Sequence, residues 1–179
     1  MSHSLQQKFV EEIRDRFPDF FKFPKLLEVG SYDVNGSIRS IIQNTSQHIG
    51  LDVAPGNGVD IVVGGQEFDG PSNHFDVVIS AECFEHNPYW LETFINMIRM
   101  CKHNGIVIFT CATTGREEHG TSRTSPTHSL TTSIGWEYYK NLTAEDFTSK
   151  IDFNLHFNEW NFRTVNWELQ DLYFYGIKK

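Results

Sequence analysis

The chain has 179 residues, 39% of them hydrophobic, and its 15 basic and 23 acidic side chains leave a formal charge of −8. That suits one domain over residues 1–179 with a sizeable core, and it argues against a phosphate backbone as partner, so no nucleic acid is expected. No run approaches the ~18 apolar residues of a membrane span, and the start "MSHSLQQKFVEEIRDRF" has no continuous apolar segment, so neither a membrane nor a secretory leader is expected.

Leu5, Phe9, Val10, Ile13 and Phe17 recur at helical spacing, which predicts a helix over about 4–17 that stops at Pro18. "KLLEVG" reads as a buried strand and "VNGSIRSIIQN" as a helix after it. "HIGLDV", "VDIVVG" and "HFDVVIS" read as three further strands, "YWLETFINMIRMC" as an amphipathic helix, and "GIVIFTCA" as a fifth strand. This alternation predicts a parallel sheet covered on both faces, with ligands at the carboxyl ends of its strands. Residues 113–139 are polar and rich in Ser and Thr, too long for an ordinary connection, and read as a loop that could serve as a substrate lid. "TAEDFTSK" then reads as a short helix capped by Thr143 and Asp146. "FNLHFNEWNF" and "LQDLYFYGIKK" read as two strands that add an antiparallel edge.

The turn after the first strand narrows the cofactor. A dinucleotide fingerprint needs three spaced glycines, but Tyr32 and Asn35 occupy the second and third positions after Gly30. No Gly-Lys-Ser/Thr of a phosphate loop occurs. Glu28 at the strand end would repel a diphosphate and suits a cationic cofactor. Asp52 ends the second strand, where an acid commonly takes the two hydroxyls of a ribose. A ribose, a positive charge and no pyrophosphate describe S-adenosylmethionine.

The order of "LLEVGSYDVNGS", "HIGLDVAPGNGVDIVV", "FDVVISAECFEH" and "MIRMCKHNGIVIFTCA" resembles the class I S-adenosylmethionine-dependent methyltransferases over about residues 25–112. That resemblance implies a Rossmann-like α/β fold: a seven-stranded, mostly parallel sheet with a C-terminal antiparallel hairpin and helices on both faces. It places Glu28 and Gly30, with Ser31 and Tyr32 in the same turn, at the methionine end of the cofactor. It puts Asp52 on the ribose and Val53 beside the adenine. Gly65 and Gln66, in the turn after the third strand, would flank the adenine, while Ser80 and Glu82 would border the reactive end. The family's first turn is shorter and richer in glycine than "GSYDVNG" here, and its third-strand acid is replaced by Gly64 or Gly65.

His86 reads either as a solvated residue of a helix-capping loop or as a substrate-binding or proton-transfer group. His86 and His119 are the candidate bases. "GREEHGTSR" reads either as a solvated loop or as a lid hinged at Gly115 and Gly120. Trp136, Tyr138 and Tyr139 read equally as core packing or as an aromatic wall for a sugar or planar substrate. His86, His119 and His128 show no recognised metal-ligand spacing, so no metal is expected. Three cysteines without CxxC spacing fit reduced thiols in a cytoplasmic compartment. The expectation is a cytoplasmic methyltransferase, monomer or homodimer, acting on a small-molecule or saccharide acceptor. A non-catalytic S-adenosylmethionine-binding module is the alternative, and an NAD-dependent oxidoreductase fits the glycine pattern less well.

Overall fold

The computed structural model describes residues 4–165 and 170–179. Seven strands form one sheet: β1 (Lys25–Val29), β2 (Gln47–Asp52), β3 (Ile61–Val62), β4 (Phe75–Ala81), β5 (Cys101–Ala112), β6 (Phe157–Val165) and β7 (Asp171–Lys178). Their order is β3-β2-β1-β4-β5-β7-β6. The β1–β2, β1–β4, β2–β3 and β4–β5 pairs are parallel, whereas β7 runs antiparallel to both β5 and β6. The expected Rossmann-like sheet with its closing hairpin is therefore present.

The period-two alternation of the central strands sorts the core into two layers. On β5, Ile106 and Ile108 face a layer made with Phe9, Val10 and Ile13 of helix α1 (Ser4–Arg16). Val107 and Phe109 face the opposite layer. There they meet Phe94 and Met97 of helix α2 (Trp90–Met100) and Phe147 of the short helix α3 (Ala144–Thr148). Phe153 of helix α4 (Phe153–His156) joins the same layer. Helices thus cover both faces. Phe94 is fully buried, and its ring lies within 6.5 Å, centroid to centroid, of Phe84, Phe109, Phe147, Phe153, Phe157 and Phe174.

Three expectations change. The helix read over "VNGSIRSIIQN" is a single 3-10 turn, Ile38–Ser40. Ser37 caps it by accepting from the Arg39 N–H at 3.1 Å, and serines with β-branched isoleucines give too little propensity to propagate past one turn. The strand read from Phe153 begins only at Phe157, because Asp152 accepts from the Asn154 N–H at 3.0 Å and starts α4 instead. The third strand keeps only two residues of "VDIVVG". The Thr143–Asp146 capping box forms as expected: Thr143 Oγ1 accepts from the Asp146 N–H, and Asp146 Oδ2 accepts from the Thr143 N–H at 2.8 Å. The last strand runs from Asp171, and Leu169, where "LQDLYFYGIKK" begins, lies outside the described residues.

Phe94 sits at the centre of the aromatic layer, so Phe94→Ala should lower the unfolding free energy by about 3–5 kcal/mol in a urea titration.

Candidate active site

The chain leaves β1 toward β2 on one side of the sheet and leaves β4 toward β5 on the other. A crevice therefore opens between the carboxyl ends of β1 and β4, where ligands bind in open α/β sheets. A cleft, partly open to solvent, lies there. One wall is the turn after β1, with Gly30, Tyr32 and Val34, together with Asp52 and Val53 at the end of β2. The other is the turn after β4, with Glu82, Cys83, His86 and Asn87. Residues 128–131 and Trp136 of the long loop form the roof.

Gly30 lets the two walls approach each other. Its φ is +77°, and a Cβ there would lie 2.5 Å from Cys83 Cβ. Its N–H and that of Ser31 both donate to the Leu51 carbonyl, at 2.9 and 3.0 Å, which ties the turn to β2. Asp52 accepts from the Tyr32 N–H at 3.1 Å through Oδ2 and from the Val53 N–H at 2.8 Å through Oδ1. Each oxygen keeps a lone pair for a ligand's hydroxyl donors. Burial raises the Asp52 pKa despite these two bonds.

The remaining expected cofactor residues divide. Tyr32, Val53 and Glu82 line the cleft with Gly30 and Asp52. Glu28, Ser31, Gly65, Gln66 and Ser80 stand outside that lining. Glu28 is buried, as its strand position suggests, but its carboxylate meets His48 Nε2 at 2.8 Å on the neighbouring β2. Ser31 is buried where its side chain packs over Gly50. Gly65 packs against Val29 and Thr93, and a Cβ there would lie 2.6 Å from Val29 Cγ1. Gln66 Oε1 accepts from Thr93 Oγ1 at 3.3 Å, and Thr93 Oγ1 accepts in turn from the cleft residue Asn87 at 2.8 Å. Ser80 is buried within β4.

Val34, Cys83, Asn87 and residues 128–131 are not among the expected site residues, and the fold of the long loop brings the last of these over Asp52. The Cys83 thiol is pushed up to about 12 by burial, so it is not a nucleophile at neutral pH.

The turn after β4 gathers titratable groups with few counter-charges. Glu82 has φ +53°, a left-handed conformation that costs a non-glycine residue about 1 kcal/mol or more. Glu82, Glu85 and Asp171 are all buried. Burial, followed by the neighbouring acids Glu85 and Asp171, drives the Glu82 pKa well above the usual carboxylate range. Burial also raises the pKa values of Glu85 and Asp171. Arg116 reaches Asp171 at 3.4 Å. Burial pushes His86 well below the ordinary imidazole pKa, and it lowers His119 as well. The loop brings His119 to His86, with ring centroids 4.9 Å apart at 86°, and sets the Tyr139 ring, tilted, 5.6 Å from His86. The two candidate bases therefore lie together, His86 on the cleft wall and His119 on the loop beside it. Among the described residues no helix is long and apolar enough to cross a membrane.

A family model described as a methyltransferase domain matches residues 28–109. A comparison with curated proteins finds no match. Among solved structures, the fold is similar to a Burkholderia thailandensis 1,6-didemethyltoxoflavin-N1-methyltransferase with 1,6-didemethyltoxoflavin and S-adenosylhomocysteine bound. That similarity has a TM-score of 0.67 at 12% identity, covering 96% of this chain and 77% of the other. It is similar also to a SAM dependent methyltransferase from Archaeoglobus fulgidus, with a TM-score of 0.64 at 13% identity over 96% of this chain and 94% of that one. A Haemonchus contortus phosphoethanolamine N-methyltransferase 2 in complex with S-adenosyl-L-methionine gives 0.65 at 14% identity, covering 97% and 52%. Residues 28–109 thus match a methyltransferase domain, and the chain shares its fold with S-adenosylmethionine-dependent methyltransferases. S-adenosylmethionine is the cofactor of such methyltransferases, and the cleft has features that fit it: the free lone pairs of Asp52 and the close turn at Gly30.

Two outcomes test this geometry. Gly30→Ala forces a positive φ on alanine and drives its Cβ into Cys83, so it should lower Tm by several degrees in a thermal melt and weaken cofactor binding. Asp52 accepts hydroxyl donors best when ionised, and its pKa is raised. Affinity for S-adenosylmethionine should therefore be full above that raised pKa and fall as pH drops through it, as calorimetric titrations across pH would register.

Proposed function

We propose that this methyltransferase transfers the methyl group of S-adenosylmethionine to a small polar acceptor, a small molecule or saccharide, held between the turn after β4 and the 113–139 loop. The observation that carries this reading is the roof. Residues 128–131 and Trp136 line the cleft opposite the β-strand ends and narrow it, which suits a small acceptor better than a polymer. The net charge of −8 also disfavours a polyanionic substrate. Two of the structural relatives are named for small acceptors, 1,6-didemethyltoxoflavin and phosphoethanolamine.

The chemistry asks little covalent work of the chain. The cofactor supplies an activated methyl group on a sulfonium centre. Asp52 takes the ribose hydroxyls and fixes one end of the cofactor. The Gly30 turn admits it against the backbone. A cationic sulfonium beside the buried acids Glu82 and Glu85 would favour their ionised form and draw down their raised pKa values. The loop over the cleft would help to hold acceptor and cofactor in line. His86 and His119 are neutral at neutral pH, with burial holding both below the usual imidazole value, so each presents a lone pair rather than a positive charge.

The test is formation of S-adenosylhomocysteine, followed by mass spectrometry, over a panel of alcohols, saccharides and amines. Turnover with at least one acceptor is expected. Asp52→Ala should raise the Kd for S-adenosylmethionine at least tenfold, about 1.4 kcal/mol. Cofactor binding without turnover across the panel would favour a non-catalytic binding module, and binding of NAD alone would overturn the cofactor assignment.

A further inference from the structure

We propose that Glu85, His86 and His119 form a binding site for a divalent first-row transition metal, of the Zn²⁺ or Mn²⁺ type, on the wall of the cleft. A carboxylate oxygen and one nitrogen from each imidazole lie within 4.8 Å of one another. His86 Nε2 is 4.0 Å from Glu85 Oε1. Donors spaced this way close around an ion at ~2.0–2.2 Å once the loop-borne His119 turns inward.

The polar atoms at this place have no other occupation. Glu85 is fully buried, and neither carboxylate oxygen has a hydrogen-bond partner of good geometry among the described residues. Its own backbone N–H and the Glu82 carboxyl lie nearby, and the latter could share a proton with it. Both nitrogens of His86 lack a hydrogen-bond partner, although its side chain is 3% exposed. A buried polar atom left unpaired costs on the order of 1–3 kcal/mol, so several of them in one place call for a ligand. A proton shared between Glu82 and Glu85 would satisfy part of the carboxyl pair. It would leave both nitrogens of His86 unpartnered.

His119 is held as metal-ligating histidines are. Its Nδ1 lies 3.1 Å from the Glu117 carbonyl, which makes Nδ1 the N–H donor and leaves the Nε2 lone pair free. The Tyr139 hydroxyl donates to the same carbonyl at 3.0 Å and steadies it. Gly120 seats the loop on His86: a Cβ there would lie 2.7 Å from His86 Cε1, so a larger residue would lift His119 away from the ring. One carboxylate and two imidazoles leave coordination positions open, as in catalytic rather than structural sites. The sequence expectation of no metal rested on spacing, and this ligand set joins two adjacent residues to a histidine that only the folded loop brings near.

The consequence for the acceptor rests on the methyltransferase reading. His86 lines the cofactor cleft, so an ion beside it would face the acceptor. The acceptor it selects is a hydroxyl compound, whose oxygen fills an open position and releases its proton to solvent. That oxygen's electron pair then forms the bond to the methyl carbon. The carbon–sulfur bond breaks, its pair stays on sulfur, and S-adenosylhomocysteine leaves.

The test is direct. The wild-type chain, stripped with a chelator, is titrated with Co²⁺, followed by visible absorption, and with Zn²⁺ and Mn²⁺ by calorimetry. One equivalent per chain is expected, with Co²⁺ bands of a nitrogen–oxygen site. His119→Ala, on the loop, should weaken metal binding 10–100-fold, whereas His103→Ala, at an exposed position, should leave it unchanged. Glu85→Gln serves as a second ligand variant, with circular dichroism confirming its fold. No binding by the wild type, or equal affinity in wild type and His119→Ala, overturns the site. S-adenosylmethionine is titrated into the same stripped protein. Cofactor binding without metal binding would sink only the metal site, and metal binding without cofactor binding would sink only the methyltransferase reading.

Discussion

The pairing of β1 with β4 in the middle of the sheet governs everything at its upper edge. Val29 lies opposite Ser80, so both strands end at the same level and their following turns face each other. The chain leaves them in opposite directions, and no helix or strand can fill the space between. Gly30 against Cys83 sets how near the turns come. Displacing either strand by one residue would turn its apolar side chains to the wrong layer. The register that builds the core therefore also fixes the separation of Asp52 from Glu82.

That edge carries groups which work against stability. Three acids and a histidine are buried there with Arg116 as the nearby cation, and Glu82 is held in a left-handed conformation. Such a site persists only if the scaffold has free energy to spare. The aromatic layer beneath it supplies that margin. Phe84 belongs to the same turn as Glu82 and His86, yet its ring points down to Phe94, Phe109 and Phe147. One short turn thus anchors itself in the core by its phenylalanine and presents its acids and histidine to the cleft.

Much of this was legible in the sequence, and what was missed has physical causes. Continuous apolar strands such as "LLEV" and "DVVIS" can be buried only on both faces, which gave the parallel sheet. Asp52 was legible because a strand-end acid after a short apolar run has few structural uses. The helix after β1 failed because apolar spacing alone does not outweigh serine and β-branched residues over one or two turns. Glu28 reads from the sequence as a group facing a cationic cofactor, whereas its carboxylate meets His48, a strand neighbour that no local pattern reveals. The meeting of His119 with Glu85 and His86 was invisible for a similar reason. It depends on how a polar loop folds back, and such loops carry no periodicity.

Gly120 on the His86 ring has a kinetic consequence. A loop resting on the wall of the cleft cannot admit or release a cofactor-sized molecule without first coming off that ring. Entry and exit are then slaved to one local opening event, on the microsecond-to-millisecond scale typical of loop movements. Exchange of spent cofactor, rather than bond-making, becomes the natural clock of the cycle.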